Sequence, residues 1–127
     1  MSENDIIPRT VLLVEDYDET RYLMRMALEQ HGYRVLEAED GQRAVELALQ
    51  ERPDIILMDL TLPLLDGIQA TARIREDAGM RDVPIVAVTA HLENNYRSNA
   101  QASGFNAYVT KPIDFDWLDN LLNDLLA

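Results

Sequence analysis

The 127-residue chain has no cysteine. That excludes a disulfide framework, a thiolate zinc site and a cysteine nucleophile. Basic residues are scarce, with 11 Lys and Arg against 23 Asp and Glu and a formal net charge of −12. A chain of that sign repels a phosphate backbone, so nucleic acid is not an expected partner. No apolar run approaches the roughly 20 residues that span a bilayer, and no membrane partner is expected. Residues 1–9 carry acids and no apolar h-region, so they do not read as a signal peptide. A cytoplasmic domain is the expectation. Lysine itself is nearly missing: ten of the eleven basic residues are arginine, and the one lysine, Lys111, stands just before Pro112. An ammonium is a compact point charge and a guanidinium a planar fork, and the two do not interchange where geometry matters. Lys111 is therefore a candidate functional residue.

What is present suits one domain with a real core: 47% of the residues are hydrophobic. Residues 1–9 read as a short tail and residues 10–127 as the domain. Thr10–Val14 is a compact apolar run that stops at Glu15-Asp16, as a strand buried on both faces would. Residues 18–31 follow with helical spacing, with Asp18 or Thr20 as the expected cap and Gly32 as the stop. Residues 33–38 read as a strand, a helix opens at Asp40-Gly41 and ends at Pro53, and residues 54–59 form a third strand. Residues 60–66 are a loop, and Gly67–Glu76 a helix. Residues 83–89 are a fourth strand, residues 94–103 a weakly patterned helix, Ala107–Thr110 a fifth strand and residues 114–126 a closing helix. This alternation predicts an α/β fold with a parallel sheet covered on both faces.

Right-handed crossovers place the carboxyl ends of all the strands on one edge, where such sheets bind ligands. Strand one ends in Glu15-Asp16, strand three in Asp59, strand four in Thr89-Ala90 and strand five in Thr110-Lys111-Pro112. Clustered carboxylates repel unless a cation joins them. An oxygen-only set suits a hard ion such as Mg²⁺. Lys111 complements an anion, and Thr89 offers a hydroxyl. The set can hold a cation and a phosphoryl group together, and a carboxylate can itself accept the phosphoryl group.

These residues resemble a known family. Val14-Glu15-Asp16, Met58-Asp59-Leu60-Thr61-Leu62-Pro63 with Asp66-Gly67, Val88-Thr89-Ala90 and Tyr108-Val109-Thr110-Lys111-Pro112 together resemble the receiver domain of bacterial response regulators, of the stand-alone chemotaxis type. The resemblance covers about residues 10–126. It implies a doubly wound (βα)5 flavodoxin-like fold with strand order 2-1-3-4-5. It also implies that Asp59 accepts a phosphoryl group from a phosphohistidine on a sensor histidine kinase or histidine phosphotransfer protein. Asp16, Asp59 and the backbone carbonyl of Thr61 would ligate Mg²⁺, with Glu15 reaching it through water. Many receivers carry Asp where this chain has Glu15. Lys111 would pair with the phosphoryl group, and the Lys111–Pro112 bond would be cis. Thr89 would close on the phosphoryl group and Tyr108 turn inward, with small Ala90 leaving access to the acid. The surface of helix four, strand five and helix five would change for a downstream protein target. Thr61 and His91 are candidates for tuning dephosphorylation. The protein would be a signalling phosphoacceptor that assists its own phosphorylation and dephosphorylation, not an enzyme with a turnover substrate. No output domain follows residue 127, so the effect is expected through protein contacts or onward transfer.

Rival readings fail on particular residues. A flavodoxin-type flavin carrier needs a neutral phosphate-cradling loop after strand one, where this chain has Glu15-Asp16-Tyr17-Asp18-Glu19. A phosphatase of the haloacid dehalogenase type needs a second aspartate at the place of Thr61. A P-loop nucleotidase needs a glycine-rich loop ending in Lys-Ser/Thr. A phosphorylation-independent interaction module on the same fold is the alternative, although such modules usually lose one site residue. On the closing helix, Trp117 and Leu121 widen the apolar stripe beyond what one sheet face needs. Two readings stay open for them: the edge of the core, or a patch for a partner or a homodimer.

Overall fold

The computed structural model describes residues 7–90 and 104–127. Five parallel strands form one sheet in the order β2-β1-β3-β4-β5. They are β1 (Thr10–Val14), β2 (Arg34–Ala38), β3 (Ile55–Asp59), β4 (Ile85–Thr89) and β5 (Ala107–Thr110). The described helices are α1 (Asp18–Gln30), α2 (Gly41–Glu51), α3 (Gly67–Glu76) and α4 (Phe115–Leu126), with a 3-10 turn at Ala78–Met80. The helix expected over residues 94–103 lies outside the described residues.

The strand sequences explain the two-sided sheet. Successive side chains point to opposite faces, and every position of β3 and β4 is buried. Leu12, Val14, Ile56, Met58, Ile85 and Ala87 meet Ala44 and Ala48 of α2 and Ala70 and Ile74 of α3 on one face. Val11, Leu13, Ile55, Leu57, Val86 and Val88 meet Met24 and Leu28 of α1 and Leu118 and Leu122 of α4 on the other. Apolar-in, polar-out alternation is absent from these central strands because neither of their faces meets water.

Local signals set the helix ends. Asp40 caps α2 through the N–H of Arg43, 2.7 Å away. Asp66 and Gln69 make a reciprocal capping box at α3. Asp114 caps α4 by accepting from the N–H groups of Asp116 and Trp117. Gly32, at φ +91°, takes the left-handed turn after α1. The cap expected for α1 is corrected. Tyr17 is the N-cap residue, and no side chain caps the helix. Asp18 is already helical, and its carboxylate accepts from the Arg21 guanidinium at 2.7 Å instead.

Chain order reverses between β1 and β3, since β2 lies outside β1 and β3 to β5 run the other way. A crevice at the carboxyl end of such a switch is the usual ligand site of this architecture. Gly67, at the start of α3, packs against the backbone of β3's last residue. A Cβ there would fall on the carbonyl oxygen of Asp59, so only glycine lets α3 start this close to β3. The Gly67 N–H instead donates to the Leu60 carbonyl at 3.2 Å.

Candidate functional site

The carboxyl edge gathers the residues that the strand ends carry. Carboxylate oxygens of Glu15, Asp16 and Asp59 all lie within 4.8 Å of one another. Glu15 and Asp59 are buried and Asp16 is exposed. Lys111 bridges the two buried acids, with Nζ 2.8 Å from Glu15 Oε1 and 2.9 Å from Asp59 Oδ2. Its own backbone N–H donates to the Thr89 carbonyl at 2.9 Å, which fixes where the lysine leaves β5. The Lys111–Pro112 peptide is cis.

Each of the two buried acids is held from more than one side. The second oxygen of Asp59 accepts from the Thr61 N–H at 2.9 Å. The second oxygen of Glu15 accepts from the Tyr17 N–H at 3.2 Å. The cleft above them has a volume of about 340 Å³, and Tyr17, Thr20, Thr61 and Ala90 complete its wall. Thr89 is buried at the end of β4, beside the cleft. Tyr108 is half-buried on β5, packs on the α2–α3 side of the core and lies 6.4 Å from the Phe105 ring. His91 lies outside the described residues.

Electrostatics leave the site short of positive charge. Three carboxylates face one ammonium, so two negative charges are uncompensated. Although Asp16 is exposed, partial desolvation of its carboxyl at the cleft raises it above the usual range, and the hydrogen bond with Glu15 and its charge push the same way. Burial pulls the Lys111 ammonium down, but the hydrogen bonds and charges of Glu15 and Asp59 outweigh it and raise its pKa. Among the described residues the candidate ligands that converge are all carboxylate oxygens, which fits a hard divalent cation better than a soft metal.

The sequence reading missed three contributors. The N–H groups of Tyr17 and Thr61 orient the acids, but a backbone donor has no residue-type signature. Arg21 Nη1 donates to the Glu15 carbonyl at 2.9 Å. With ten arginines in the chain, nothing in the sequence marks that one. On α4, Trp117 is 51% exposed, whereas Leu121 packs against the core. The two residues expected to widen the apolar stripe thus part ways.

A parallel 2-1-3-4-5 sheet with acids and a lysine at its switch point defines a receiver-type α/β domain. The chain belongs to the response regulator receiver domain family, whose model matches residues 11–123. Among its relatives, protein PilH of Pseudomonas aeruginosa is 38% identical over 117 residues, covering 92% of this chain and 97% of PilH. The polar-differentiation response regulator DivK of Brucella anthropi is 36% identical over 107 residues, covering 84% of this chain and 87% of DivK. The receiver domain of sensor histidine kinase PA1611 from P. aeruginosa has been solved with a magnesium ion coordinated in its active-site cleft. It superposes with a TM-score of 0.89 at 38% identity, covering 94% of this chain and 98% of that domain. Chemotaxis protein CheY4 of Vibrio cholerae superposes at 0.90 with 26% identity, covering 94% of this chain and all of CheY4 (100%). Among the described residues no helix is long and apolar enough to cross a membrane.

Proposed function

We propose that this chain is a single-domain response regulator that accepts a phosphoryl group on Asp59 from a phosphohistidine donor. One observation carries the reading. Asp59 is buried at the switch point with one oxygen on Lys111 and the other on the Thr61 N–H, while the oxygens of Glu15 and Asp16 stand beside it. A structural carboxylate at a strand end needs none of that company. The match along 97% of PilH supports a receiver that acts without further domains. We assign residues 10–127 to the receiver domain and residues 1–9 to a tail.

The chemistry needs positioning and charge neutralisation more than covalent help. An Asp59 oxygen attacks phosphorus as the phosphorus–nitrogen bond of the donor breaks, and the donor imidazole leaves with the bonding pair. Lys111, released from the carboxylate oxygen, pairs with the phosphoryl oxygens. Asp16, Asp59 and the Thr61 carbonyl would hold Mg²⁺, with Glu15 acting through water. The ion supplies the positive charge that the three acids lack. Thr89 follows the phosphoryl group through its hydroxyl, and Tyr108 turns inward in response. The change extends to β5, to α4 and to the helix expected over residues 94–103, which lie outside the described residues. A downstream protein would read that change. To Thr61, which lines the cleft, and to His91, which lies outside the described residues, the proposal gives the tuning of how long the acyl phosphate lasts. The donor is a sensor histidine kinase or histidine phosphotransfer protein, in the cytoplasm. The exposed Trp117 leaves the homodimer through α4 as part of the same proposal.

The test is intact mass after incubation with Mg²⁺ and a small phosphoramidate. The expected result is one added phosphoryl group in the wild type and none in Asp59→Asn or without Mg²⁺. An adduct that persists in Asp59→Asn would remove the assignment.

A further inference from the structure

The acid pair at the mouth of the site is carried by a loop, and the question is what keeps that loop in place. Every polar group of Glu15 is engaged. Its N–H donates to the Ala38 carbonyl of β2 at 3.0 Å, and its carboxylate oxygens accept from Lys111 and from the Tyr17 N–H. Its carbonyl, the oxygen of the Glu15–Asp16 peptide, accepts from Arg21 Nη1 at 2.9 Å. That peptide plane decides where the Asp16 carboxylate points, because rotating it swings Cα and side chain together.

Arg21 is itself fixed from two directions. Its Nη2 donates to Asp18 Oδ1 at 2.7 Å on its own helix, and its Nε to Glu37 Oε1 at 3.3 Å on β2. One guanidinium thus ties the acid loop, α1 and β2 into a triangle. Its side chain is only 17% exposed. Two carboxylates already face its charge, so the contact with Glu15 is geometric and not an additional cation for the acids. A planar fork reaches three separated acceptors from three different nitrogens held in one plane, whereas an ammonium's three donors all radiate from one nitrogen.

We propose that Arg21 is a positioning residue for cation binding, acting through the Glu15–Asp16 peptide. The proposal rests on the receiver reading of the site. Groups that orient ligands without touching the ion are commonly worth about 10–100-fold in metal affinity.

Calorimetric Mg²⁺ titration, without any phosphoryl donor, is the primary test. The expected result is a Kd about 10-fold weaker or more in both Arg21→Lys and Arg21→Gln, unchanged in direction at high salt, where a through-space charge effect is screened. Phosphoryl uptake from phosphoramidate should fall in the same variants at limiting Mg²⁺ and recover as Mg²⁺ is raised, since the loop is restored once the ion is bound; a loss that no Mg²⁺ concentration recovers would overturn the positioning role. Glu37→Gln leaves Arg21 in place but loosens one corner of the triangle, and should show a smaller weakening of the same sign. It also serves if the Arg21 variants lose their cooperative melt. An unchanged Kd in folded Arg21→Lys, or in Glu37→Gln where the Arg21 variants do not fold, overturns the proposal. A wild type that binds no Mg²⁺ overturns the receiver reading itself, and with it this role.

Discussion

At the residue scale, the site is a set of charges that conflict when the cation is absent. Asp16 shows this most clearly. Its carboxyl is raised above the ordinary value of 3.8, first by burial and then by Glu15. The sign follows from linkage. Between the ordinary value and the raised one the folded state binds more protons, so stability falls as pH rises through that window. Above it the full penalty of the ionised group is present. Asp16→Asn is therefore expected to melt at a higher temperature than wild type in Mg²⁺-free buffer at neutral pH. The order reverses with the ion: at ten times its Kd, Mg²⁺ stabilises wild type by about 1.4 kcal/mol and the variant by less. Thermal melts with chelator and with Mg²⁺ measure both. A lower melting temperature for the variant in chelator would contradict the repulsion. Lys111 behaves in the opposite sense. Its raised pKa means that its contribution is complete below the ordinary 10.5 and is lost only as pH rises through the higher folded value. Glu15, Asp16, Asp59 and Lys111 were legible because each ends a strand. The N–H groups of Tyr17 and Thr61 and the guanidinium of Arg21 were not, because a backbone donor carries no residue-type signature and Arg21 is one arginine among ten.

At the scale of elements, most boundaries follow from local chemistry. Asp40, Asp66 and Asp114 each precede an apolar-periodic stretch and each caps it. The start of α1 at Asp18 agrees with the sequence, but its cap does not: the Asp18 carboxylate has two possible uses, and the ion pair with Arg21 wins over the cap. The closing helix could not be divided from sequence. Trp117 and Leu121 lie four residues apart on one stripe, yet only Leu121 reaches the core. The packing of α3 against β3 carries a firm prediction. A methyl at Gly67 would overlap the carbonyl of the phosphoacceptor residue itself. Overpacking of this kind costs about 1–3 kcal/mol, and in a domain of this size it lowers Tm by roughly 3–12 °C. Gly67→Ala should therefore lower Tm and also slow phosphoryl uptake, because the atom displaced belongs to Asp59. A melt combined with an uptake assay checks this, and a loss of stability with wild-type uptake would show that the Asp59 backbone is not what gives way.

At the scale of the whole molecule, a strand order read from a family resemblance and a site read from strand ends are one fact. The 2-1-3-4-5 order puts β1 beside β3, and that neighbourhood brings Glu15 and Asp16 to face Asp59 across a switch point. The net charge of −12 then has a local meaning, since the molecule concentrates acids where it holds its sole lysine. The central claim is that this edge holds a cation and a phosphoryl group on Asp59 together. Fluorine NMR with beryllofluoride, which mimics a phosphoryl group on a carboxylate, tests it most directly. Bound fluorine resonances should appear only when Mg²⁺ is present, at one equivalent per chain, and should be absent in Asp59→Asn. Bound resonances that are indifferent to Mg²⁺ or to Asp59, or none in a sample shown to bind Mg²⁺, would contradict the account.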